Sequence, residues 1–207
     1  WYFKLLTKKY FENKFSKEAI SNCEYNLFEL KNIEDFKSLI QPKTNLIGVN
    51  VTIPYKESII PFLDEIDKKA NEIGAVNTIK INPQTKKTKG YNTDYDGFKN
   101  SLKPFLENKH ERALILGTGG ASKSVIYLLK ELNIDYLLVS RKPKENNEIA
   151  YSDINEYVMK HHQIIINTTP VGTFPNINDC PNINYDLLTE NHLLFDLIYN
   201  PSQTLFL

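Results

Sequence analysis

Apolar residues along the first hundred positions switch repeatedly between the two-residue period of a strand and the wider spacing of a helix. SKEAISN (16–22) reads as a helix tail, and CEYNLFEL (23–30) then alternates as a strand. LIGVNVTI (46–53) is a nearly unbroken apolar run, as in a buried strand. KESIIPFLDEIDKKANEIG (56–74) has helical spacing that Pro61 interrupts. AVNTIKI (75–81) and KTKGYNTD (87–94) predict strands around an NPQT loop, a hairpin signal, and YDGFKNSLKPFLEN (95–108) predicts a connecting helix.

Beyond that helix the pattern becomes regular. ALIL (113–116), YLLVS (136–140), QIIIN (163–167) and LLFDLI (193–198) are short apolar strands. KSVIYLLKEL (123–132) is an amphipathic helix with Val125, Ile126, Leu129 and Leu132 on one face. Strands alternating with crossovers predict a parallel sheet with right-handed connections. The fold class expected is α/β, with an N-terminal α/β domain over residues 1–100 and a Rossmann-like parallel-sheet domain over 101–207.

Composition narrows the class. The 25 basic and 25 acidic side chains balance, so no net charge points to nucleic acid or a membrane surface. Cys23 and Cys180 lie far apart without metal-ligand spacing, which argues against a disulfide framework or a zinc site. No metal is implied, and His110, His161, His162 and His192 fall outside every motif, as surface or loop residues would. No apolar stretch reaches the ~18 residues of a spanning helix, and a cytoplasmic setting is expected. The chain starts at Trp1 and stops at an uncapped TLFL, so it reads as a fragment of something longer.

Two local patterns carry chemistry. In NVTIPYK (50–56), Val51, Thr52 and Ile53 suit a strand and Pro54 ends it, which leaves Lys56 just past a strand end. That ammonium either solvates a turn or works on a substrate. In GTGGAS (117–122), Gly117 permits the tight turn, Gly119 lets backbone approach a pyrophosphate, and Ser122 is small enough for close helix–strand packing. Gly117, Thr118, Gly119, Gly120 and Ala121 are thus the candidate phosphate cradle at a helix N-terminus. The next strand ends in Ser140, Arg141 and Lys142 rather than an acid. Arg141, one of only two arginines, can grip a 2′-phosphate, so NADP(H) is expected over NAD. NTTPVGTFPN (167–176) follows the third of these strands, where open α/β sheets hold ligands.

Taken in order, NVTIPYK, GAVNT (74–78), GYNTDYDGF (90–98), GTGGAS, NTTPVG and FDLIYNP (195–201) resemble the shikimate dehydrogenase family over nearly the whole chain. The resemblance implies a substrate domain followed by an NADP-binding Rossmann domain, with the active site between them. It also implies NADPH-dependent, reversible reduction of 3-dehydroshikimate to shikimate, a step in chorismate and aromatic amino acid biosynthesis. Lys56 matches the family's catalytic lysine and Asp94 its partner carboxylate. Thr52, Asn77 and Tyr199 match positions that hydrogen-bond the substrate ring, and Leu197 lies where a backbone group meets the nicotinamide.

The resemblance fails at both ends. FKLLTKKYF (3–11) aligns with the family's serine-x-serine carboxylate-binding segment, so its two serines become Leu5 and Thr7, and only Thr7 keeps a hydroxyl. The family's first strand is missing, as are its C-terminal helices with a substrate-binding glutamine. Two alternatives follow: an NADP-binding pseudoenzyme with a degraded substrate site, or a quinate/shikimate dehydrogenase. The expected partner is a small-molecule substrate rather than nucleic acid or membrane, with a homodimer left open.

Overall fold

The computed structural model describes residues 2–207, with side chains from Thr7 onward. Two sheets organise it. The first contains β1 (Gly48–Asn50), β2 (Glu65–Ile66), β3 (Thr78–Ile81) and β4 (Thr88–Tyr91), in the order β1-β3-β4-β2. The expected hairpin is present: β3 and β4 pair antiparallel from Thr78↔Tyr91 to Ile81↔Thr88. Ile79 and Ile81 alternate onto the buried face and pack with Phe36, Ile40, Ile59, Ala70 and Val76. At ~1.5–3 kcal/mol for each large side chain removed from water, that cluster is what holds the small sheet in place.

The second sheet is wholly parallel. Its strands β5 (Arg112–Leu116), β6 (Asp135–Val139), β7 (Glu148–Ile149), β8 (Ile164–Asn167) and β9 (Leu193–Asp196) lie in the order β7-β6-β5-β8-β9. Counted from β5, this is the 3-2-1-4-5 half of a dinucleotide-binding sheet, and the order reverses between β5 and β8. Both faces are buried, which explains the apolar runs: Ala113, Ile115, Ile164 and Ile166 face one core, and Leu114, Leu116 and Ile165 the other.

Among the described residues six α-helices accompany the sheets: α1 (Tyr2–Lys17), α2 (Phe36–Ile40), α3 (Lys68–Ile73), α4 (Asp94–Leu102), α5 (Gly120–Glu131) and α6 (Glu156–His161). On α5, Val125, Leu128 and Leu129 are fully buried, while Ile126 and Leu132 pack at the edge of the core. On α4, Tyr95, Phe98 and Leu102 at i, i+3 and i+7 enter the same cluster, and Phe98 meets Phe195 edge-on with centroids 5.1 Å apart. Ile73 and Ala75 join them, so one apolar core runs from α3 and α4 into the parallel sheet.

The structure corrects several expectations. CEYNLFEL runs extended but pairs with no strand; it is tied instead by Tyr25, stacked on Phe11 at 4.7 Å, and by the Tyr55 hydroxyl, which donates to the Leu30 and Lys31 carbonyls at 3.0 and 2.8 Å. The ladder within LIGVNVTI is confined to Gly48–Asn50, and Ile53 is exposed. Over 56–74, Pro61 permits only a single 3₁₀ turn (Ile60–Phe62), and the helix begins afresh at Lys68, where the Asp67 carboxylate accepts from the Lys69 N–H at 3.0 Å. His110 and His162 are buried rather than superficial. Nδ1 of His110 accepts from the Glu107 N–H at 2.9 Å, and Nδ1 of His162 meets the Val158 carbonyl at 2.7 Å, so local backbone satisfies both rings. Leu5 lies outside the residues whose side chains are described. Among the described residues no helix is long and apolar enough to cross a membrane.

Asp64 fastens the approach to β2 onto β4: its Oδ2 accepts from both the N–H and the hydroxyl of Thr88 at 2.8 Å. The Thr88 backbone bond, then its hydroxyl bond, holds the Asp64 carboxyl below its usual value of 3.8. A lowered folded value gives stability present above the unfolded pKa and lost as pH falls through the folded one. Asp64 is exposed and water screens its bonds, so Asp64→Ala should unfold at a temperature lower by about 1–2 °C near neutrality, the effect of ~0.5 kcal/mol at this size. In thermal melts from pH 7 to pH 2 the gap should narrow below about pH 4; a constant gap would show that the charge contributes nothing.

Candidate active site

The hairpin sets the geometry. The Asn77 N–H donates to the Tyr91 carbonyl at 3.0 Å, and the Asn77 carbonyl accepts from Val51 at 2.7 Å. One residue earlier, the Val76 N–H donates to the Lys56 carbonyl at 2.7 Å. The turn after β1 and the start of β3 are thus laced together by main chain. On the other strand, β4 runs through Asn92 and Thr93 straight into α4, which opens on Asp94.

These backbones bring three of the expected residues into contact. Lys56 Nζ donates to Asp94 Oδ2 at 2.6 Å, and Asn77 Nδ2 donates to Asp94 Oδ1 at 2.7 Å. Both carboxylate oxygens are engaged, so the group cannot rotate. Asp94 in the first turn of α4 also places its charge at the favourable end of the helix dipole. Asn77 is fixed in turn, since its Oδ1 accepts from the Thr93 N–H and the Thr78 hydroxyl, each at 3.0 Å. The Lys56 side chain is 16% exposed: mostly covered, yet open to a ligand. An ammonium has three protons, and Asp94 holds one.

The glycine turn lies directly against this pair. A β-carbon on Gly120 would stand 3.2 Å from Lys56 Cβ, so the first turn of α5 approaches the lysine closely because residue 120 has no side chain. Beside it, Lys123 pairs with Glu57 at 2.6 Å across the same junction. Gly117 has φ +106°, and a β-carbon there would meet Thr168 Oγ1 and Thr169 Cγ2, each at 2.9 Å. That contact sits between the ends of β5 and β8, where the strand order reverses and such sheets bind ligands.

The turn suits a pyrophosphate. No side chain caps α5, a β-carbon on Gly119 would face open space among the described residues, and the Ser122 hydroxyl turns inward to the Gly119 carbonyl at 2.7 Å. Thr118 is exposed at the turn, with Ala121 half-buried behind it. At the end of β6, Arg141 and Lys142 are exposed, and Ser140 Oγ accepts from the Lys142 N–H at 3.2 Å. This donor set fits a dinucleotide bearing an additional phosphate.

The remaining expected residues are spread around the crevice. Thr52 is exposed on the segment leading to Lys56, and Thr7 is half-buried in α1. The Leu197 N–H donates to the Asn167 carbonyl at 3.1 Å, which fixes the backbone leaving β9. Tyr199 is 61% exposed, and it adds to the burial that raises the pKa of Tyr25. A cavity of about 740 Å³ opens at the opposite, amino-terminal end of β5 and β6 and is lined by none of these residues.

Two polar residues carry the loop at the switch point and escaped the sequence reading: Asn167, which is buried, and Asp196, which is half-buried. Asn167 has no exposed surface; its Oδ1 accepts from the Thr169 N–H at 3.0 Å and hydroxyl at 2.7 Å, and its Nδ2 donates to Asp196 at 3.1 Å. Burial raises the Asp196 pKa, against hydrogen bonds from Thr204, Ile198 and Asn167 that lower it. The signal was there: a polar residue closing an otherwise apolar strand, in IIIN and LLFD.

Comparison with known proteins places the chain in a family. The profile of the shikimate dehydrogenase substrate binding domain matches residues 7–79. A shikimate dehydrogenase (NADP(+)) of Aquifex aeolicus is 38% identical over 208 residues, covering 94% of this chain and 74% of the relative. The chain belongs to the shikimate dehydrogenase family. Another member, from Methanosphaera stadtmanae, is 39% identical over 190 residues, 83% of this chain and 66% of that protein. The crystal structure of shikimate dehydrogenase 1 from Peptoclostridium difficile superposes with a TM-score of 0.80 at 34% identity, covering 97% of this chain and 75% of that one. The chain thus spans about two thirds to three quarters of the length of these family members.

Gly117→Ala should disturb both fold and cofactor turn, since a side chain at positive φ costs ~1–2 kcal/mol before the collision with Thr168. The expected result is a lower unfolding temperature and NADPH binding weaker by about tenfold or more, ~1.4 kcal/mol. Fluorescence titration with NADPH checks it, and unchanged affinity would remove the turn from the cofactor site.

Proposed function

We propose that this chain catalyses the NADPH-dependent reduction of 3-dehydroshikimate to shikimate and the reverse oxidation, with Lys56 as acid and base and Asp94 as its orienting partner. The observation that carries this reading is the 2.6 Å Lys56–Asp94 hydrogen bond held against the first turn of α5. It puts a proton donor beside a site shaped for a phosphorylated dinucleotide. Residues 1–100 then serve as the substrate-binding part and residues 101–207 as the NADP-binding part.

NADPH, when bound, supplies a hydride to the ketone carbon. The carbonyl oxygen gains negative charge as that bond forms, and the Lys56 ammonium gives it a proton, leaving a neutral amine and a secondary alcohol. In oxidation the amine takes the hydroxyl proton. Asp94 holds the lysine in place through Oδ2 while Asn77 locks Oδ1. Thr52, Asn77, Tyr199 and Thr7 offer neutral donors and acceptors for a ring bearing several hydroxyls. Arg141, with Ser140 and Lys142, takes the 2′-phosphate.

The deciding experiment follows NADP⁺ reduction with shikimate at the nicotinamide absorbance. Lys56→Ala should lower kcat by about 10²–10⁴-fold, the usual worth of a positioned acid–base group, without weakening NADPH binding. Equal losses in turnover and cofactor affinity would refute the acid–base role. Arg141→Asp should weaken NADPH by about 10–100-fold, the loss of a charged hydrogen bond, and leave NADH unaffected. Parallel titrations with the two cofactors test this, and equal effects on both would overturn the 2′-phosphate assignment.

A further inference from the structure

Asn92 stands beside Asp94 but faces the other way, into the junction between the two sheets. It is 6% exposed, and its amide makes three hydrogen bonds. Nδ2 donates to the Ala75 carbonyl at 2.9 Å, while Oδ1 accepts from the Tyr95 N–H and from the Ser124 hydroxyl, each at 3.2 Å. Each partner leads to one part of the site. Ala75 precedes Val76, whose N–H is bonded to the Lys56 carbonyl. Tyr95 follows Asp94, and its N–H, one of the open donors in the first turn of α4, is satisfied by Asn92. Ser124, 1% exposed, lies one helical turn after Gly120 on α5, on the side that meets Lys56.

We infer that the Asn92 amide, together with the Ser124 hydroxyl, is a positioning pair that sets the Lys56–Asp94 couple at a fixed height and angle against the first turn of α5. Apolar packing alone would hold α4 to α5, as Tyr95 and Leu128 in the shared core attest. Packing is non-directional, however, whereas an amide bonded at once to α4, to α5 and to the chain entering β3 fixes both rotation and register. Serine in mid-helix commonly bonds back to its own helix; Ser124 reaches across to Asn92 instead. The inference rests on Lys56 and Asp94 being the reacting pair, and Asn92 acts only through them.

The test uses Ser124→Ala, which removes one hydroxyl, leaves Asn92 Oδ1 bonded to Tyr95 and improves helix propensity, so the fold persists. Three readouts are taken: steady-state NADP⁺ reduction with shikimate, thermal unfolding, and the ¹³C-methyl signal of reductively methylated Lys56, assigned by its loss in Lys56→Ala. The expected result is kcat lower by about tenfold, as a small misplacement gives, with an unchanged KM for NADP⁺, nearly unchanged unfolding and a displaced Lys56 signal. Ser124→Thr, which keeps the hydroxyl, should restore kcat. Asn92→Asp, which keeps both acceptor roles but loses the donor to Ala75, should lower kcat further.

Wild-type kcat with an unmoved Lys56 signal in Ser124→Ala overturns the inference. So does a lowered unfolding temperature with kcat per folded molecule unchanged, which would make the pair a packing element only. Were wild type inactive with shikimate while the Lys56 signal still moved in Ser124→Ala, the proposed reaction would fall and the positional inference would stand.

Discussion

A carboxylate can orient an ammonium only when both backbones are held by something stiffer than the hydrogen bond between them. Lys56 and Asp94 are 38 residues apart, and one hairpin fixes both. The chain entering β3 bonds the Lys56 carbonyl, and the chain leaving β4 becomes the helix that begins with Asp94. The cluster beneath that hairpin is thereby a condition of the chemistry. Ile79 and Ile81 keep β3 in register, and a slip of one residue would turn Asn77 and the lysine turn away from Asp94.

The pair itself contributes little to stability. Its members are 16% and 31% exposed, and an ion pair open to water contributes about 0–1 kcal/mol. What it supplies is direction, from three hydrogen bonds that use both oxygens of Asp94 and the Oδ1 of Asn77. The second half supplies proximity, because a β-carbon on Gly120 would stand only 3.2 Å from Lys56 Cβ, so the first turn of α5 lies tight against the lysine. In the proposed reaction the acid–base group and the hydride source must meet at one substrate carbon and its oxygen, and the close approach of α5 to Lys56 suits that requirement.

Much of this was legible in the sequence because the signals are local. A glycine-rich turn between an apolar strand and an amphipathic helix has one reasonable geometry, and the later strands announced themselves as unbroken apolar runs. CEYNLFEL misled for the opposite reason: alternation describes a surface, and pairing needs a partner that only the tertiary fold can offer. Likewise β2 is two residues of parallel pairing with β4, specified by contacts more than twenty residues away rather than by its own period. Buried polar groups were the least visible. Serine, asparagine and histidine default to the surface, and nothing local in Asn92, Ser124 or His162 distinguishes a residue that the fold will enclose.

Asn92 and Asn167, with the half-buried Asp196, share a location that explains them. Asn167 and Asp196 close the carboxyl ends of β8 and β9, and Asn92 closes the path from β4 into α4. At each place the backbone leaves a ladder and must be satisfied by something else, or its polar groups would be stranded without water. A side-chain amide or carboxylate meets that need and fixes the exit direction in the same act. Strand ends are where this fold presents its ligand-facing backbone, and the groups that terminate the strands therefore also aim the site. Stability and chemistry are coupled here through hydrogen-bond satisfaction, and a substitution at these positions acts on both.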